Sequence, residues 1–134
     1  MADFTLVDRE FGRVPVLLTE VAPGFARSDE YARLDSSDFE RPTVVCGAFN
    51  RYLCRLQQAV TRAELDHDEA RDLRDAYRAI DRLSESEDLE VVNLVVVEIF
   101  EHLDLDDAAL AAFRNELGET TRDLYDRWIT APGR

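Results

Sequence analysis

The stretch ESEDLEVVNLVVVEIFEHLDLDD, Glu85–Asp107, decides how the chain is read. Its middle is the most apolar run of the sequence, and it is rich in β-branched residues that suit a strand as well as a helix. Read as a strand, alternation puts Asn93 on one face and Glu98 on the other, so neither face is cleanly apolar. Read as a helix, Leu89, Val92, Asn93, Val96, Ile99, Phe100 and Leu103 form one stripe, expected to face the core. Val91, Leu94, Glu98 and Glu101 then fall together on the other side. Ser86 or Asp88 is placed to cap this helix, which is expected to end near Leu103. The helical reading makes the whole chain all-α.

Outward from this stretch, the flanking segments carry helical spacing too. Asp68–Leu83 turns Leu73, Ala76, Tyr77, Ile80 and Leu83 to one side and a row of Arg71, Arg74, Arg78 and Arg82 to the other, where nearby carboxylates can pair with it. Pro42 and Thr43 open a helix running to about Thr61, with Val45, Cys46, Phe49, Tyr52, Leu53, Leu56 and Val60 on one broad face. Asp106 caps a helix over Asp107–Leu117, with Leu110, Phe113 and Leu117 inward and Gly118 as its stop. A last helix starts at Thr120 or Thr121 and holds Leu124, Tyr125, Trp128 and Ile129. Phe4–Val21 has helical spacing that Pro15 interrupts. Either the helix kinks there, or one helix ends near Gly12 and another carries the proline in its first turn. Residues 25–41 are polar with scattered anchors and are expected to form an irregular loop, with a turn of helix possible around Asp29–Leu34. Residues 131–134 read as a frayed tail. The expected architecture is a single domain over 1–134 of five to seven helices, arranged as antiparallel hairpins.

Composition narrows the function classes. With 29 acidic residues against 16 arginines and no lysine, the formal net charge is −13. Such a chain repels phosphates, which argues against nucleic-acid or anionic-membrane partners and favours a basic protein. The acids flanking the apolar run are Glu85, Glu87, Asp88, Glu90, Glu98, Glu101, Asp104, Asp106 and Asp107. Together with Val91 and Leu94 they describe an apolar patch rimmed by acid, suited to a basic, partly hydrophobic partner. Cys46 and Cys54 lie about 12 Å apart along one helix, too far for a disulfide. Free thiols fit a cytoplasmic setting. The start, MADFTLVDREF, lacks the basic region and apolar run of a signal peptide.

Catalytic signals are sparse. No phosphate-binding glycine motif occurs, and neither cysteine has a histidine near it in sequence. Glu98, Glu101 and His102 have helical offsets that metal sites use, which gives a small metal-dependent hydrolase as the alternative reading. His67, in LDHDE, is the only other histidine. No cofactor is expected. A third reading is a structural homodimer that buries Val91 and Leu94 between two copies.

Two stretches, PTVVCGAFNRYLCRL at Pro42–Leu56 and EVVNLVVVEIFEHL at Glu90–Leu103, resemble an uncharacterised family of small acidic helical bacterial proteins, similar to immunity proteins of polymorphic toxin systems. The resemblance covers roughly Thr43–Trp128 and brings no catalytic residues with it. It implies a non-enzymatic inhibitor that docks its acidic face on a basic toxin.

Overall fold

A proline in a helix's first turn gives up an N–H that no helix start uses and presets the backbone angle. From Pro42, α4 (Pro42–Thr61) runs for 20 residues. The expected face of α4 is inside: Val45, Cys46, Phe49, Tyr52, Leu53 and Leu56 are buried, while Val60 lies 38% exposed near its end. Burial also wraps round to Ala48, Asn50, Cys54 and Gln57, because α4 is covered on several sides. A computed structural model gives this architecture, described over residues 10–64 and 66–132. Phe4 and Val7 fall outside the described residues, as do positions 133–134 of the tail.

Helix α4 ends on Ala63, whose φ of 58° lies in the left-handed region. The Glu64 N–H reaches back to the Ala59 carbonyl (2.8 Å) and the Ala63 N–H to that of Val60 (3.0 Å). This cap normally takes glycine, since an alanine Cβ in that region costs about 1–2 kcal/mol. Ala63→Gly is therefore expected to gain about 0.5–1 kcal/mol, after the greater freedom of glycine in the unfolded chain is subtracted. A thermal melt checks it: the midpoint should rise by a few degrees. A lower midpoint would contradict the strain.

Asp66 caps α5 (His67–Ser84) by accepting the Glu69 N–H at 2.9 Å. Leu73, Ala76, Tyr77, Ile80 and Leu83 are all buried, as the spacing predicts. On its outer surface Arg71 pairs with Asp68 and Arg78 with Asp75, exposed contacts worth a few tenths of a kcal/mol each.

At the N-terminal side a 3-10 turn, Phe11–Arg13, leads into α1 (Val14–Val21), which carries Pro15 in its first turn. The proline's place in a first turn fits the second of the two sequence readings; the earlier helix of that reading lies largely outside the described residues. Residues 25–41 depart from an irregular loop. They contain the second half of α2 (Pro23–Ala26), the turn of helix expected around Asp29 as α3 (Asp29–Ala32), and a 3-10 turn at Asp38–Glu40. Helices of four residues are too short to show a period, so only their anchors are visible in sequence. Phe25 is such an anchor: fully buried, it meets Tyr31 and Phe49 edge-on at 5.2 Å. Gly24 permits the close approach of α2, since a Cβ there would lie 2.6 Å from the Tyr52 hydroxyl and 2.5 Å from Asp72 Cγ.

The Glu85–Asp107 stretch is helical over Leu89–His102; the sides of its first half are the reverse of the expected ones, while Ile99 and Phe100 face the core and Glu101 the solvent as expected. After Asp88, whose carboxylate accepts the Glu90 N–H (3.0 Å) and the Phe11 N–H (3.3 Å), α6 covers Leu89–Leu94. The helix then widens to a π turn over Val95–Ile99 and tightens to a 3-10 turn over Phe100–His102. Val91, Leu94, Val95, Ile99 and Phe100 are buried, whereas Leu89 is 80% exposed and Asn93 lies at the surface. The run carries apolar residues on both sides, so α spacing alone does not choose between them. Each π residue advances less around the axis than an α residue. The π turn thereby brings Ile99 and Phe100 onto the stripe that Val91 and Leu94 begin.

Asp106 caps α7 (Asp107–Glu116) by accepting the Ala109 N–H at 2.9 Å. Helix α8 (Glu119–Ile129) starts at Gly118. Asp81 of α5 accepts the Gly118 N–H (3.0 Å) and the hydroxyl of buried Thr121 (2.6 Å), so an acid from another helix satisfies this N-terminus. Arg122 in turn donates to the carbonyls of Arg114, Asn115 and Leu117 at the end of α7.

Eight α-helices occur among the described residues, and no strand. The four-residue α2 and α3 account for the excess over the expected number. The packing is also less hairpin-like than expected beyond α4 and α5. Helix α7 lies on α4 and α8 on α5, while α1 touches both long helices. The centre of the fold is α4, and the π turn of the Glu85–Asp107 stretch is one of the elements packed around it.

Candidate functional site

A broad depression forms where the 3-10 turn Phe100–His102 meets α7 and α8. Its volume is about 750 Å³, and Leu103, Leu105, Leu110, Trp128 and Ile129 supply most of its apolar lining. Phe100 and Tyr125 lie beneath it, edge-on at 5.1 Å, and Trp128 is 5.6 Å from Phe100. Ile129 is 39% exposed, and Leu103, Leu105, Leu110 and Trp128 are half-buried. Glu101 supplies a carboxylate to the lining. The residues after the turn, LDLDD, alternate: Leu103 and Leu105 enter this groove, while Asp104 lines a second depression and Asp106 bonds to Gln58 of α4 (2.6 Å).

The structure redistributes the residues singled out from sequence. Val91 and Leu94 are buried within the chain, at 0% and 3% exposure, so neither is available to a partner. The same burial removes a homodimer built on those two side chains. Glu85, Glu87, Glu90, Glu101, Asp104, Asp106 and Asp107 are exposed, and Asp88 and Glu98 half-buried. Asp88 and Asp106 act first as helix caps, a role that explains an acid at each position without a partner.

Glu98, Glu101 and His102 do not converge. Each lines a different depression: Glu98 one beside Phe11 and Thr43, Glu101 the apolar groove, His102 the arginine-bearing one along α4. The offsets that suggest a shared face assume α geometry, and the turn from π to 3-10 at Ile99–Phe100 disperses them. Among the described residues no three of His, Cys, Asp and Glu are grouped so as to hold a metal ion. Both cysteines are free and buried. Burial, with the Glu98 charge adding to it, pushes the Cys46 thiol up to about 12, and burial raises that of Cys54. Both are thereby kept from the thiolate form a nucleophile needs.

The groove residues missed in sequence had one visible signal. Leucines alternating with aspartates just past a helix end, in LDLDD, put apolar side chains where a loop is expected to be polar. Tryptophan and isoleucine at adjacent positions of α8 exceed what one inward face can cover.

No helix among the described residues is long and apolar enough to cross a membrane. Residues 15–130 match a family described as a domain of unknown function, DUF7674. No curated protein and no solved structure matches the chain.

Proposed function

We propose that this chain, which belongs to the DUF7674 family, is a non-enzymatic binding module whose partner is a basic protein carrying an apolar side chain into the groove between the Phe100–His102 turn, α7 and α8. The observation that carries this reading is the groove itself. A concavity of about 750 Å³ holds five partly exposed aliphatic and aromatic side chains and a carboxylate, next to Asp104, Asp106 and Asp107 at the start of α7. Half-exposed apolar side chains in a concave patch gain by desolvation on docking, and acids at the rim steer a basic partner and hold its register. The net charge of −13 extends that attraction over the approach. Two buried free thiols suit a reducing compartment, and we place the protein in the cytoplasm. The sequence resemblance to immunity proteins makes a toxin the partner class this surface serves.

The probe for this reading is a synthetic helical peptide with leucines on one face and lysines on the other, titrated calorimetrically. Glu101→Arg is expected to weaken its binding about five- to tenfold at roughly 50 mM salt, with the difference shrinking as salt screens the charges. Equal affinity for the variant and the parent at low salt would remove the acidic rim from the mechanism.

A further inference from the structure

A second groove, of about 490 Å³, runs along α4 from Arg51 to Arg62. These residues are eleven positions apart, about 16 Å along the helix axis. Arg55 lies between them and is engaged by Glu30 through two hydrogen bonds of 2.8 and 3.0 Å. Arg51 and Arg62 form no ion pair among the described residues. That is notable in a chain with 29 acids to 16 bases: Glu64 and Asp104 line the same groove without an ion pair to either guanidinium, Asp106 acts on Arg62 through its charge alone, and Arg51 Nη1 and Glu98 both lie near Gly47.

The groove is held open by its own hydrogen bonds. Asn50 Nδ2 donates to the His102 carbonyl (2.9 Å), Gln58 Nε2 to Asp106 Oδ2 (2.6 Å), and the Asp106 N–H to Gln58 Oε1 (3.5 Å). These contacts rivet residues 102–106 to α4 as the far wall. Between the arginine ends the floor is Cys54 and Ala59, small and weakly polar. The groove thus has, toward each end, an arginine without an ion pair among the described residues, with Cys54, Ala59 and the Glu30-engaged Arg55 between them.

We propose that this groove binds an elongated small molecule with an oxyanion at each end and an uncharged spacer, one oxyanion on Arg51 and the other on Arg62. A guanidinium offers paired N–H donors that match a carboxylate or phosphate bidentately. The roughly 16 Å between these two positions along the helix axis suits an elongated dianion better than one compact anion. The carboxylates of Glu64 and Asp104, with Asp106 beside them, repel a ligand charged along its whole length, such as a nucleic-acid strand.

Calorimetry at about 150 mM salt, where surface charges are largely screened, tests this with suberate and hexane-1,6-diol bisphosphate, and with butyrate as the single-ended control. At least one dianion should bind one-to-one with Kd on the order of 1 mM or below. Which of the two binds distinguishes a dicarboxylate from a bisphosphate source. Arg51→Gln and Arg62→Gln should each weaken binding about tenfold or more, towards the butyrate level, while Arg74→Gln on α5 leaves it unchanged. Both arginines are exposed, so the variants should melt as the parent does. No saturation by either dianion, equal binding of butyrate, or equal loss in Arg74→Gln would each overturn the proposal.

Discussion

Val91→Asp is expected to destabilise the protein by about 3–5 kcal/mol, a large share of the roughly 5–15 kcal/mol that holds a domain folded. Val91 has no exposure, and it sits on the stripe that continues through Leu94, Val95 and Ile99 against α4 and α5. An aspartate there has no cation in reach from its own stripe, and burying an unpaired carboxylate costs several kcal/mol even when it takes up a proton. Leu89→Asp, two residues earlier and 80% exposed, should change stability by no more than about 0.5 kcal/mol. Urea denaturation of the two variants separates the sides of this helix directly. A stable Val91→Asp beside an unfolded Leu89→Asp would restore the assignment that spacing alone suggests.

Phe113→Ala should cost a similar amount, about 3–5 kcal/mol. Phe113 is fully buried on α7 and joins three elements through its ring, at 5.8 Å from Tyr77 of α5, 6.3 Å from Phe100 and 5.7 Å from Tyr125 of α8. Alanine leaves a cavity and also loses aromatic contacts worth about 0.5–1.5 kcal/mol each. Phe113→Leu keeps most of the volume and should cost less than about 1.5 kcal/mol. The two substitutions, compared by denaturant titration, isolate the cavity from the mere loss of an aromatic ring. A Phe113→Ala loss below about 1 kcal/mol would show that the α7–α8 corner is loosely packed. Because Phe100 and Tyr125 form the floor of the apolar groove, this variant should also weaken peptide binding at temperatures where it remains folded.

What the sequence made legible follows from which signals are local. The extents of α4 and α5 follow from apolar spacing, a proline in the first turn and an acid cap, all carried by adjacent residues. The caps at Asp88 and Asp106 were legible for the same reason. The sides of Glu85–Asp107 were legible only in its second half, where Ile99 and Phe100 are inward as expected; around Val91 and Leu94 they were not. Valines stand on both flanks, and the choice depends on a π turn that packing against α4 stabilises, which no residue in the run announces. Within residues 25–41 the turn of helix around Asp29 was legible, but α2 and the Asp38–Glu40 turn were missed because so short an element has no period to read. Thr121 and Gly118 show a third limit, since the acid that caps α8 comes from α5, 37 positions earlier than Gly118. The candidate site moved for one reason. A patch is defined by what neighbouring helices leave uncovered, and α7 and α8 leave open Leu105, Trp128 and Ile129 rather than Val91 and Leu94.

Trp128 is the single tryptophan of the chain and lines the apolar groove, so its emission reports on that groove alone. Titrating the leucine–lysine helical peptide should shift the emission to the blue and protect it from acrylamide, saturating at one equivalent. Leu105→Asp should abolish both changes. If calorimetry registers the peptide while Trp128 emission and quenching stay constant, the partner docks elsewhere and the groove is not the binding site.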